Sequence, residues 1–491
     1  LLLLELPNYS ERGAFLVLRW IAASVALDRF AEEALRALLL LGAGHALMGR
    51  PSQEPVGRWR GHVLMGLGFA YTVVMAGLVL NPWWGQAPAR VLGPPIFDTL
   101  LLAFAAPALL AGLAAYRLYS HEPAQARVYA LASAFFGVLW ATLEMRRLFH
   151  GAGLDAAPVG VAEAAAYALF YLMLALAVAF VAHANARDRR PFMQDLFQAN
   201  RTVTLAGVGV AALMMLIVRH PWWGGQDESS STALSTGLAV LAQGAAAAIA
   251  LALGWLQAST PATPTSLPFT LERQPGPARA DESARFICAA AAALFVWSFG
   301  HGAIRWFYHQ GAMDDGNVLS GLEGYAHAIW PLIFVLGAWE ATVWAPVRDG
   351  VQAFISDLQA IWASAAWAAL GFATLGLCVL FNPWWGPAPV EMPTGFSLGL
   401  GMAMLLTGAA ASLAVQRIEE VRWAEALPRV TTILCITYLF VALTILVRWI
   451  FHRGDMAAPS VVGVELWTYP AVWALFGAFT VAWFSRTFRP Q

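Results

Sequence analysis

Three residue types, Arg, His and Glu, recur together three times along the chain at nearly constant spacing, with a fourth position four residues after the Glu. Arg146, His150, Glu163 and Tyr167 form the first set, Arg305, His309, Glu323 and His327 the second, and Arg448, His452, Glu465 and Tyr469 the third. In each set the Arg and the His stand at i and i+4, so they share one helix face, and the Glu opens the next apolar segment after a short polar loop. The second loop is one residue longer, and the set ends in His327 where the others end in Tyr. As a ligand site, the guanidinium can hold a phosphate or carboxylate, the imidazole can carry protons, and the carboxylate can act as base or proton acceptor. The same groups can instead satisfy one another. A cation at the end of one helix and an anion at the start of the next each oppose the local end of the backbone dipole, so a helical hairpin would close them into an Arg–carboxylate clasp. Both readings stay open at the level of sequence.

The first and second sets carry extra groups. Glu144 and Arg147, at i and i+3, are expected to add a pair in the first, and His301, Arg305 and His309 form a stripe at i, i+4 and i+8 with His327 within reach. The stripe invites a metal reading, but Arg305 at its centre would repel a cation and no Cys or second acidic ligand is fixed there. We expect no metal and no cofactor. His45, Asp98, Gln243 and Glu340 stand alone in apolar surroundings, and no P-loop, dinucleotide fingerprint or nucleophile elbow is present. The three cysteines, Cys288, Cys378 and Cys435, lie scattered in or beside apolar runs and are expected to be free, buried thiols.

A second motif also occurs three times: Asn81-Pro82-Trp83-Trp84-Gly85, His220-Pro221-Trp222-Trp223-Gly224 and Asn382-Pro383-Trp384-Trp385-Gly386. Proline ends the helical ladder, glycine permits a tight reversal, and tryptophan favours the headgroup level of a bilayer. The six tryptophans are expected to be interfacial anchors, or else a stacking surface for a sugar or lipid headgroup.

The elements that would position these residues are set by composition. The 491 residues are 59% apolar and 12% charged, with net charge −1. That balance describes an integral membrane protein, gives no footprint for nucleic-acid binding, and names membrane lipids, with other membrane subunits, as the expected partners. Apolar runs of the roughly 20 residues needed to cross a bilayer recur throughout. We expect an all-α polytopic fold of about 14 transmembrane helices, with three parallel four-helix repeats preceded by a partial one. Residues 1–50 would be the last two helices of a preceding repeat, about 13–27 and 34–49, the former an interfacial helix in the alternative reading. Repeat 1 would cover 51–192, repeat 2 193–352 and repeat 3 353–491. In each, helix a ends at the Pro-Trp-Trp-Gly motif, helix b is rich in Ala, Gly and Leu, helix c ends at the Arg and His, and helix d begins at the Glu. The Pro82 to His150 and Pro383 to His452 intervals are nearly equal, whereas Pro221 to His309 is longer because of the Pro-rich polar segment 259–282, read as a cytoplasmic linker. All 29 basic residues are Arg, which suggests a GC-rich bacterial genome. Arg58, Arg60, Arg117, Arg127, Arg187, Arg189, Arg190, Arg201, Arg273 and Arg489 fall on one side, so that side and the C-terminus are expected to be cytoplasmic and both motifs periplasmic, in a bacterial inner membrane.

The three Pro-Trp-Trp-Gly stops, the helix ends LEMRRLFHG and VRWIFHRG, and the closing VELWTYPAVWALFG resemble the DUF2339 family of bacterial multi-pass membrane proteins over essentially the whole chain. The resemblance implies a membrane architecture and no established activity. Its members carry more sequence on the N-terminal side, so a chain starting at Leu1 is expected to begin within a longer protein. The functions to be weighed are transport or binding, structural assembly, and, as the alternative, an enzyme modifying an envelope lipid or glycan. Parallel repeats count against transport, for which inverted repeats are the better signature.

Overall fold

An apolar segment in hydrocarbon must satisfy its backbone amides internally, and a helix does so within one segment. The computed structural model describes residues 29–48, 55–85, 90–155, 158–186, 191–221, 233–259, 279–309, 313, 321–337, 352–380, 427–452, 461 and 463–487. Among these residues the only regular structure is helix. The elements are α1 (Arg29–Met48), α2 (Pro55–Tyr71), α3 (Ala106–Leu118), α4 (Pro123–His150), α5 (Val161–Ala184), α6 (Pro191–Ala212), α7 (Ala233–Ser259), α8 (Arg279–His309), α9 (Gly321–Ile329), α10 (Gln352–Thr374), α11 (Leu427–His452) and α12 (Val464–Thr487). Nine helices among the described residues are long and apolar enough to cross a membrane. The segment at 13–27, helix b of the third repeat, Glu340 and the linker's central residues lie outside the described residues.

The chain divides into two compact units, Leu1–Val159 with Asp188–Asp195, and Gly160–Arg187 with Leu196–Gln491. In the first unit, Phe30 and Ala34 of α1 pack with Phe104, Phe136 and Leu143 in one apolar cluster, and Leu41 and Met65 with Tyr129 in another. In the second, α5 buries Ala165, Ala168, Leu172, Ala175 and Ala179, a stripe of mostly small residues at intervals of three and four. Ala239, Ala242 and Ala246 of α7 and Cys288 and Ala291 of α8 complete that cluster. Lipid tails are as apolar as leucine, so close backbone approach and dispersion hold such helices together, and alanine permits the approach. A further cluster joins α8, α9, α10 and α11 and includes the fully buried Tyr438, whose hydroxyl is 2.9 Å from Thr374 Oγ1.

Each described helix that leads toward a Pro-Trp-Trp-Gly motif widens into a π-helical turn just before it. The turns are Thr72–Val79 after α2, Leu213–Val218 after α6 and Leu375–Leu380 after α10. A fourth, Leu101–Ala105, opens α3. A π turn shifts the hydrogen-bond register and rotates the residues C-terminal to it, and it is found most often at functional or conformationally special places.

Candidate functional site

The third set shows the arrangement most simply. Arg448 and His452 end α11, and Glu465 lies in the first turn of α12. Arg448 Nη1 donates to Glu465 Oε1 at 3.1 Å, and His452 Nε2 lies 2.7 Å from Oε2. The Tyr469 hydroxyl, one turn along α12, donates to Oε1 at 2.9 Å. Arg448 and Glu465 are each 2% exposed. The imidazole Nε2 is also 3.0 Å from Arg448 Nη1, but one ring nitrogen serves one in-plane partner, and Nε2–H directed at the carboxylate leaves the guanidinium to the other oxygen. Both carboxylate oxygens are then gripped.

The second set repeats this. Arg305 Nη1 donates to Glu323 Oε1 at 3.0 Å, and His309 Nε2 lies 3.0 Å from Oε2 and 2.8 Å from Arg305 Nη1. Arg305 is 4% and Glu323 1% exposed, while His309 and His452 are each partly open. Arg305 Nε also donates to the Met313 carbonyl at 3.0 Å, drawing in the loop after α8. His327 takes the place of the tyrosine: its Nε2 is 3.6 Å from Glu323 Oε1, and its Nδ1 is 2.8 Å from Nδ1 of His301.

Residues of the first set belong to different units. In the first unit, Arg146 is fully buried at the end of α4, its Nε donates to the Leu154 carbonyl, and its guanidinium lies 4.6 Å over the ring of Trp83. His150 stands one turn later, partly buried. In the second unit, the Tyr167 hydroxyl donates to Glu163 Oε1 at 2.7 Å, and Glu163 Oε2 accepts the Gly160 amide at 3.4 Å. The offset from Arg to the carbonyl it binds is the same for Arg146 and Arg305, eight residues.

The tryptophan pair divides its labour. Trp83 packs beneath Arg146, whereas Trp84 is 51% exposed and its indole nitrogen donates to the Gly77 carbonyl inside the π turn at 3.1 Å. Asn81 Oδ1 accepts the Trp83 amide at 2.9 Å and holds the reversal. A cation over an indole face is attracted by the ring quadrupole, which ties the tryptophan motif to the arginine motif, a link that spacing did not reveal. Trp222, Trp223, Trp384 and Trp385 lie outside the described residues.

Two readings of polar residues change. Asp98 is not isolated: it is buried and paired with Arg147, which also donates to the Gly93 and Pro94 carbonyls. Arg147 therefore takes Asp98 as its ion-pair partner in place of Glu144, whose Oε2 accepts the Ile96 amide at 3.3 Å. Gln243, also read as isolated, is buried with its Nε2 3.5 Å from the Met215 carbonyl. Sequence reasoning gave no role to His220 or Ser298, which are bonded at 2.8 Å between His220 Nε2 and Ser298 Oγ. His220 sits in the turn after α6, and burial pushes its imidazole down to about 4. Among the described residues no group of three or more His, Cys, Asp or Glu is placed to hold a metal ion.

No curated protein and no solved structure matches the chain. Residues 9–193 match the family model described as Predicted membrane protein (DUF2339).

Proposed function

We propose that the protein is a structural assembly protein of the bacterial inner membrane, built of parallel four-helix repeats at 51–192, 193–352 and 353–491 after a partial repeat, about 14 spanning helices in all. In the second and third copies the recurring Arg, His and Glu act as clasps that lock helix c to helix d at the periplasmic face. The observation that carries this reading is the third set: a carboxylate held through both oxygens by Arg448 and His452, with the ion pair 2% exposed. A closed, mutually satisfied cluster leaves little to offer a ligand. The recurrence of a π turn before each motif proline supports the repeat reading. The alanine stripes of α5, α7 and α8 support close helix assembly within the protein and with partner subunits. Transport is the second reading, favoured by the histidines buried behind the second clasp.

A double-mutant cycle on the full chain in detergent micelles tests the clasp. Arg448→Met and Glu465→Gln each leave a buried charge or acceptor without its partner and should each destabilise by about 3–5 kcal/mol. The double variant should cost far less than their sum, because coupling appears as non-additivity. Additive, small effects would end the clasp reading, and intact stability with lost uptake of a solute into vesicles would move these residues to a transport site.

A further inference from the structure

At three places the second copy carries an imidazole where the other two copies carry another side chain. Counting from the motif proline, His220 stands where Asn81 and Asn382 stand; counting from the clasp Arg, His301 stands where Thr142 and Thr444 stand; His327 replaces Tyr167 and Tyr469. Four of the chain's ten histidines, with His309, thus gather around one clasp. In the other copies the corresponding groups close the network. Thr142 and Thr444 bond back to their own helix at Val138 and Phe440, and the tyrosine hydroxyls end on the carboxylate. A tyrosine has one polar atom, whereas a histidine has two on opposite sides of a ring, so His327 receives on one side and passes on at the other.

We propose that the second clasp is a proton-transfer site, in which His301 and His327 share one proton and deliver positive charge to Glu323. Two imidazoles whose Nδ1 atoms are 2.8 Å apart require a single hydrogen between them. His327 Nε2 faces Glu323 Oε1 at 3.6 Å, so the arrangement that suits the carboxylate has His327 protonated at Nε2 and His301 protonated at Nδ1. That leaves a lone pair on His301 Nε2. This nitrogen has no hydrogen-bond partner among the described residues, although His301 is only 7% exposed.

A proton arriving at His301 forms an N–H bond at Nε2. The N–H bond at His301 Nδ1 then breaks, and its proton forms a new bond at His327 Nδ1. His301 is neutral again, and His327 is an imidazolium beside the Glu323 carboxylate. One proton has been taken up and one positive charge has moved from one ring to the other, with no other bond changed. The charged and titratable groups around the pair are Arg305 and His309 from α8, Glu323 from α9 and His220 from the turn after α6, the last bonded to Ser298. Gln243 of α7 lies against Gly302, and the rings of Trp297 and Phe372 border His301. Arg305 holds Glu323 ionised and ready to balance the charge, and His309, partly open, connects that carboxylate to the outside. The inference goes beyond the clasp reading and does not depend on it.

The test uses the full chain in lipid nanodiscs with 15N-labelled histidine. As the pH is lowered from about 8 to about 4, the range in which imidazoles exchange protons, His301 and His327 should report one joint transition, since strongly interacting sites titrate as a pair. His327→Tyr and His301→Thr install what the other two copies carry and should keep the thermal midpoint. Each should lower proton uptake over that range by about one proton per chain against His45→Gln, which lies outside the network. Independent transitions of the two rings in the unmodified chain would overturn the proposal, as would undiminished uptake in folded variants. The Arg448 and Glu465 cycle reads the third copy, so the two proposals fail separately.

Discussion

Asn81 and His220 stand one residue before their motif prolines and do different work. Asn81 turns its side-chain oxygen to the Trp83 amide, whereas His220 turns its Nε2 to Ser298 and is buried neutral. The folded imidazole is held down at about 4, while an unfolded one titrates near about 6.5. Between those values the unfolded chain binds a proton that the folded chain does not, so stability from this residue is fully present above about 6.5 and is lost as the pH falls toward 4. The loss amounts to about 3 kcal/mol at the acid end. The thermal midpoint in detergent should fall over this range, and His220→Asn should flatten the fall. An unchanged slope would assign the acid sensitivity to other groups. At this scale the approach of Arg305 to Glu323 and of Arg448 to Glu465 follows from residue type, i and i+4 spacing and position at a helix end, each of which carries a sign. The pairing of Arg147 with Asp98 does not follow from them, since the two are 49 residues apart and the choice over Glu144 depends on where the loop before α3 returns.

Arg305 of α8 can be held against Glu323 of α9 only if the chain after α9 stays close to α8, and Gly300 is where the 3-10 turn Trp330–Leu332 that follows α9 meets α8. A Cβ at Gly300 would fall 1.6 Å from the Trp330 ring, far inside contact distance, and an indole wedged in a helix interface has little freedom to withdraw. Gly300→Ala should therefore push the helices apart and destabilise by about 1–3 kcal/mol, the usual range for overpacking. Gly371 in α10 has nothing within 4 Å of the same construction, so Gly371→Ala should leave the thermal midpoint unchanged or slightly raised. Equal effects at the two glycines would show that no close approach at Gly300 holds the pair. The apolar runs announced α8 and their ends announced the loops, yet the π turns had no sequence signal. A π turn is a slip in hydrogen-bond register, and LMMLIV or LGLCVL reads like any other buried helical segment. Its partner, the Trp84 indole bonded to the Gly77 carbonyl, became visible only once the chain had turned back on itself.

For the whole molecule, the length of the apolar runs made a multi-pass helical protein legible, because hydrocarbon admits few alternatives to helix. Arginine placement carries a further claim that helix geometry leaves untouched, namely which side each loop faces. The segment around Arg187, Arg189 and Arg190 is expected on the side of the C-terminus, and the loop holding Asp155, on the far side of α5, on the other. The three native cysteines are buried, so reporter thiols can be read without replacing them. In intact cells a membrane-impermeant maleimide should label Asp155→Cys and spare Asp188→Cys, and both should react once the membrane is opened. Labelling of Asp188→Cys alone would invert the orientation and turn the clasps toward the cytoplasm. Labelling of both in intact cells would mean that α5 does not cross the bilayer, and the four-helix repeat would fail with it, because an odd number of crossings reverses the next repeat. The clasp of Arg448 with Glu465 would survive either result, since it depends only on the local hairpin of α11 and α12.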